Sequence, residues 1–306
     1  MELLALIAAA VLMFQLARKL CGDPYGAALA SVVYVFSPAV RTLAAESVNL
    51  AFCLPLLPLL FLLFYRTNDI ARDAPGYRRK LHIAALTLCL GTGGALDSRF
   101  ALTAGLLVWI VLLLGYLMDR RRRGETWGPP FAAWAAATVG GIALYAPLWW
   151  WHRMHPASAA VLTTGADFMQ LWQPSPYYVG MAAFGMATGA LILAQSYQSQ
   201  ARLWFMAAGL MLWLTIGLRL HVAGHALWWV PALYRGLIKI PLYAGVDPYF
   251  FAAAGQFTFA LLTAFGFGAL LTRAHPTQLR WLRPALCAFI ALTLLGDGLR
   301  FLPFLP

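Results

Sequence analysis

From Phe100 to Met118 the chain reads FALTAGLLVWIVLLLGYLM, nineteen residues without one charged side chain. A helix rises about 1.5 Å per residue, so a stretch of this length crosses most of a bilayer's hydrocarbon core. Comparable apolar runs recur along the 306 residues. The chain is 62% hydrophobic and 11% charged, where soluble domains hold roughly half and a quarter. This balance excludes an ordinary soluble domain and makes the expected fold class an all-α integral membrane protein in a single domain, 1–306. Ten transmembrane helices are expected, at about 3–20, 24–37, 47–65, 81–97, 99–118, 129–151, 176–197, 202–220, 248–272 and 282–300. Asp23-Pro24 reads as the N-cap and first turn of the second, and Ser37-Pro38 ends it.

The charges give an orientation. With alternating sides, fifteen of the 22 basic residues fall on one side: Arg18, Lys19, Arg66, Arg72, Arg78 to Lys80, Arg120 to Arg123, Arg202, Arg273, Arg280 and Arg283. Loops rich in Lys and Arg stay cytoplasmic, so both termini are expected outside. The formal charge of +11 is thereby a topology signal and not a nucleic-acid footprint. The opening stretch carries Glu2 in place of a positive n-region, so it reads as a retained helix and not a cleaved signal. Cys21, Cys53, Cys89 and Cys287 show no ligand spacing and read as buried free thiols.

The outer side is the chemically varied one. The segment 224–245, within GHALWWVPALYRGLIKIPLYAGVDP, is apolar but broken by prolines, and reads as re-entrant or interfacial. Charged groups at the ends of apolar helices are candidate functional residues. Glu46 follows Arg41 at five residues, so the two can pair, or Glu46 can act as a base or metal ligand. Asp97 and Arg99 sit between two helices; Asp97 or Ser98 is either an N-cap or part of an outer site. Arg235, Lys239 and Arg99 are candidate partners of a lipid phosphate, with snorkelling to the interface as the alternative. His152 and His155, and His221 and His225, have spacings that share one helical face, but no third ligand accompanies either pair, so no metal is assigned. No nucleotide-binding or hydrolase motif occurs. Small-residue faces at 182–190 (AAFGMATGA) and 252–269 permit close helix contact with other membrane subunits.

The stretch LARKLCGDPYGAALASVVYVFSPAVRTLAAESVNLAFCLPLLPLLFLLFYR resembles bacterial multi-pass members of the GT-C glycosyltransferase superfamily. The shared features are a helix ending in a basic pair, a short helix ending in Phe-Ser-Pro, and then a leucine-proline run. LTIGLRL and VPALYRGLIKIPLYAGVDPYFF resemble a later part of the same group. The resemblance implies a bacterial cytoplasmic membrane and transfer of a sugar from a polyprenyl-phosphate donor at its outer face. It also implies a preceding helix and catalytic-acid loop, for which this chain has no counterpart, and it places Asp97-Ser98-Arg99 and Asp247-Pro248 where the group often has His and Arg. The expectation is therefore an accessory or structural subunit of a larger membrane complex. The alternative is a transferase with Glu46 or Asp97 as catalytic acid, served by a divalent cation. Membrane lipid, other subunits and a polyprenyl-phosphate sugar are the expected partners, and nucleic acid is not. A lipid transporter is the third possibility, disfavoured by the absence of internal symmetry.

Overall fold

The structure, a computed structural model, describes residues 1–73, 76–118, 128–154, 181–193, 198–227, 232–243 and 245–272, with Asp167, Gln170 and scattered positions between 281 and 292. Twelve helices and one hairpin are present among them. The helices are α1 (Glu2–Cys21), α2 (Pro24–Phe36), α3 (Pro38–Glu46), α4 (Val48–Cys53), α5 (Leu56–Asp73), α6 (Gly76–Leu96), α7 (Ser98–Met118), α8 (Gly128–Met154), α9 (Met181–Leu193), α10 (Gln198–Thr215), α11 (Leu233–Leu237) and α12 (Pro248–Thr272). Strands β1 (Leu220–Val222) and β2 (His225–Leu227) pair antiparallel.

Local chemistry sets the first boundaries. Gly22 takes a left-handed conformation (φ 74°) and its N–H closes on the Arg18 carbonyl, which terminates α1. The Asp23 carboxylate then accepts the Gly26 N–H at 2.7 Å, and Pro24 occupies the first turn of α2 as expected. Pro38 cannot continue α2, so the chain bends by 50° into α3.

The prolines of CLPLLPLL leave backbone groups without helical partners, and distant side chains take them up. Pro58 has no N–H to offer the Leu54 carbonyl; the Tyr34 hydroxyl donates to it at 2.9 Å. Just past the α2–α3 bend, the Ala39 N–H donates to Gln256 Oε1 at 3.1 Å, and the Ala39 carbonyl accepts from the Tyr249 hydroxyl at 2.7 Å. In a low-dielectric interior, each such group would otherwise be a several-kcal/mol defect, of order 2–7 kcal/mol without a partner. Both α12 partners reach it from a helix more than 200 residues away, so the bend and α12 specify each other.

Helix α12 is the axis of the fold. Its apolar stretch Pro248–Leu271 is buried at nearly every position, Leu270 near its end being exposed, and α2, α9 and α10 pack against it. Phe257 meets Phe61 at 5.3 Å and Tyr34 at 5.6 Å between ring centroids. Close approach is made possible by glycine at Gly266, where an added Cβ would strike the Met186 carbonyl of α9. A second close contact joins α6 and α8: a Cβ on Gly94 would run into the Tyr145 ring. Between apolar helices in lipid, dispersion and fit hold the bundle, since burial brings no hydrophobic gain there.

Four described helical stretches are long and apolar enough to cross a membrane: Glu2–Cys21, Val48–Thr67, Ser98–Met118 and Pro248–Leu271. The bent pair α2–α3 makes a fifth if counted as one span. Several expected spans are shorter or divided: 47–65 is broken at Leu54-Pro55, and α9 runs only thirteen residues among the described positions. The expected helix at 282–300 lies largely outside the described residues, as does Cys287; Cys21, Cys53 and Cys89 are buried free thiols as expected.

Two expectations are corrected. His221 and His225 do not share a helical face: they stand on the paired strands of a hairpin that the start of the 224–245 segment completes. The two-residue turn, Ala223 (φ 50°) and Gly224 (φ 81°), has the positive φ values that suit a tight hairpin. The Asp167 carboxylate clasps it by accepting the Ala223 N–H at 3.1 Å and the Gly224 N–H at 2.6 Å. The small-residue face 252–269 is likewise not available to a partner, because the chain's own helices cover it.

Candidate functional site

At the ends of α3 and α6 and the starts of α7 and α12, four charged side chains converge: Glu46, Asp97, Arg99 and Asp247. Asp97 caps α7 by accepting the Arg99 N–H at 2.9 Å and the Phe100 N–H at 3.2 Å. The Arg99 guanidinium folds back on the same carboxylate, Nε to Oδ1 at 3.2 Å and Nη2 to Oδ2 at 2.7 Å. Its other edge lies 3.6 Å from Asp247 Oδ2, and its face covers the Phe250 ring at 4.8 Å. Glu46, on the exposed rim at the end of α3, stands in the field of the same guanidinium.

The sequence brings Asp97 and Arg99 together by proximity; only the fold adds Glu46 and Asp247. The expected Arg41–Glu46 pair is not formed: Arg41 lies over the Phe36 ring at 5.8 Å, one turn back across the bend, while Glu46 faces α7. The 50° bend at Pro38 redirects α3 so that its end reaches the α6–α7 turn.

Three carboxylates around one arginine leave an excess of acid. Burial pushes the Asp247 carboxyl above its ordinary range, the Arg99 charge opposes this, and Asp97 adds to the rise. Asp247 Oδ1 is buried and has no hydrogen-bond partner among the described residues. The cluster's one cation, Arg99, is engaged by Asp97 and stacked on Phe250. Among the described residues, no three His, Cys, Asp or Glu side chains are grouped so as to hold a metal ion.

Arg235 and Lys239 do not join this cluster through any ion pair among the described residues. Both are exposed, on α11 and the turn after it. Tyr234 between them and the bundle is buried, its hydroxyl donating to the Val246 carbonyl at 2.8 Å and so tying α11 to the approach of α12. His155 lies outside the described residues, and the side chain of His152 is likewise not described.

An apolar cleft opens between α6, α7, α8 and the 241–243 turn. Leu90, Gly105, Trp109, Ile142 and Tyr145 form its walls together with Tyr243, which is held by a 3.3 Å hydrogen bond from its hydroxyl to the Leu102 carbonyl. The sequence reading missed it. Its one legible trace is Gly105, a glycine within the leucine-rich α7 whose missing side chain leaves open space.

No protein-family model matches this chain, and comparison with curated proteins finds no match.

Proposed function

We propose that this chain is a GT-C-like membrane subunit that serves as an accessory or structural component of a larger assembly in a bacterial cytoplasmic membrane. On this reading it has ten spans and both termini outside, as the distribution of basic residues favours. The observation that carries the assembly reading is a face of α9 left uncovered among the described residues. Gly185 and Gly189 stand four apart, one helical turn, and an added Cβ at either would meet open space; Gly185 is exposed and Ile192 on the same helix is 72% exposed. The opposite side of the same short helix is already packed on α12, through the contact at Gly266. A small-xxx-small face turned outward is suited to another transmembrane helix, because backbones approach closely there and dispersion replaces the missing hydrophobic drive.

A second reading, sugar transfer from a polyprenyl-phosphate donor, is favoured by the convergence of Glu46, Asp97 and Asp247 at one end of the bundle. In that reading Glu46 or Asp97 supplies the acid or base, Arg235 and Lys239 meet the lipid phosphate, and a divalent cation assists. Asp97, spent on capping α7 and holding Arg99, is the weaker of the two candidates.

Gentle extraction from the native membrane, followed by mass analysis of intact particles, tests the first reading. The chain is expected in a stoichiometric complex that Gly185→Leu disperses. A strictly monomeric particle overturns it. Loss of sugar transfer in Glu46→Gln, in a particle containing only this chain, establishes the second.

A further inference from the structure

Among the four spanning stretches, α1 has the least cover from its own chain. Ala5, Ala9, Met13 and Leu16 form its buried row. Leu4, Ala8, Val11, Gln15 and Arg18 are all exposed, at alternating spacings of four and three. At 3.6 residues per turn these five fall within a sector of about 80°, on the side turned away from the buried row. One straight face is therefore open to a second helix crossing at about 20°, the packing of most membrane bundles. Leucine and valine on such a face suit lipid equally well. Glutamine does not.

Gln15 lies six residues before the end of α1 at Cys21, about 9 Å along the axis. In a bilayer that Glu2–Cys21 spans, that depth is within the hydrocarbon layer. Its amide makes no hydrogen bond among the described residues, and lipid tails offer it none. A second mid-span glutamine, Gln256 of α12, is buried and accepts the Ala39 N–H. Arg18, one turn nearer the end of α1, reaches the head-group layer as long basic side chains do. Gln15 therefore needs a polar partner at depth, and paired membrane helices supply one through side-chain hydrogen bonds.

We propose that α1 pairs with α1 of a second copy of this chain, Gln15 bonding Gln15 across a two-fold axis. Two copies inserted the same way meet with their α1 helices parallel, so the axis runs along the membrane normal and like positions face each other. That geometry requires a side chain that complements itself. A carboxamide does, since its NH2 group donates and its carbonyl oxygen accepts. An acid or a base at that depth would repel its own copy. Ala8 lets the two backbones approach, with Leu4 and Val11 packing to either side of it. A single polar position among apolar ones also fixes the register. The pairing uses a face other than that of α9 and goes beyond the accessory reading.

The full-length protein, reconstituted in liposomes at graded protein-to-lipid ratios, is to be followed by energy transfer between donor- and acceptor-labelled copies. Transfer above the random level is expected, with a midpoint that Gln15→Leu moves to about fivefold higher density, the equivalent of roughly 1 kcal/mol. Gln15→Asn keeps the amide and stays within about twofold of the native midpoint. Mild oxidation provides a second measurement, since Cys21, Cys53 and Cys89 are buried. Val11→Cys should cross-link two copies, whereas Ala10→Cys, about 100° away around the helix, should not. Random transfer by the native chain, an unchanged midpoint in Gln15→Leu, or equal cross-linking at both positions each overturns the proposal. So does cross-linking of Val11→Cys, in native membranes, to a different protein and not to a second copy. Gly185→Leu should leave the transfer midpoint unmoved, so pairing through α1 and assembly through α9 succeed or fail separately.

Discussion

Helices α1 and α12 are both long, apolar and free of charge through their middles, yet their surroundings are opposite. The spanning stretch of α12 is buried within the chain at nearly every position, whereas most of α1 is not and it presents Leu3, Leu4, Ile7 and Val11 outward. Hydropathy cannot separate them, since a helix is compatible with lipid or with other helices on the same apolar terms. What distinguishes α12 is its texture. It carries alanines and glycines that admit neighbouring backbones, phenylalanines that fill the gaps, and polar Gln256, Thr258 and Thr263, all buried. Each polar group has an acceptor or donor in place, Gln256 across to Ala39 and both threonines to carbonyls of α12 itself.

The contrast is most sharply challenged at Gly266. Gly266→Leu forces the α9 and α12 backbones apart and should cost about 3 kcal/mol or more, at the upper end of overpacking penalties. Val11→Leu on the open face of α1 should move the thermal midpoint little, within about 0.5 kcal/mol. Thermal unfolding in one detergent compares the two directly, and similar losses at both positions would abolish the distinction. A smaller effect is expected of Gln256→Leu. It keeps the volume but orphans the Ala39 N–H, at about 1–3 kcal/mol. Faster hydrogen exchange at Ala39 and its neighbours should accompany the loss; a uniform loss across the bundle would mean that the α2–α3 bend does not depend on α12.

The smallest effect concerns the start of α12, where the buried helix meets charge. Burial raises the folded-state pKa of Asp247 above its unfolded value, so the folded chain binds the extra proton more readily. Stability therefore falls as pH rises through the window between the ordinary carboxylate pKa and the raised one. Asp247→Asn removes that titration. Its thermal midpoint should exceed the native one above the window and match it below. A variant that is less stable than the native chain at neutral pH would show that the 3.6 Å approach to Arg99 outweighs the burial.

Much of the helical layout was legible because its causes are local. Asp23-Pro24 starts α2, Ser37-Pro38 ends it, and Asp97 caps α7, each through atoms within a few residues. Where the helices divide was less legible, because apolar length alone does not reveal that CLPLLPLL interrupts the helix at Leu54-Pro55. The hairpin at 220–227 was not legible as such, since HVAGH carries helical histidine spacing, and Asp167, more than fifty residues earlier, secures its turn.

The candidate site divides along the same line. Asp97 and Arg99 are two residues apart, so their pairing follows from the α6–α7 turn itself. Glu46 and Asp247 join them only because the bend at Pro38 swings α3 over that turn and because Tyr249 and Gln256 lock the bend to α12. The sequence by itself determined that the chain is helical and suited to a bilayer, since backbone satisfaction and apolar length are properties of each segment alone. Which helix lies at the centre, which glycine faces a neighbour and which faces open space, and which carboxylates share one arginine were decided by the tertiary structure. Those are relations between segments, and lipid, as apolar as the helices it surrounds, gives a single segment no preference among them.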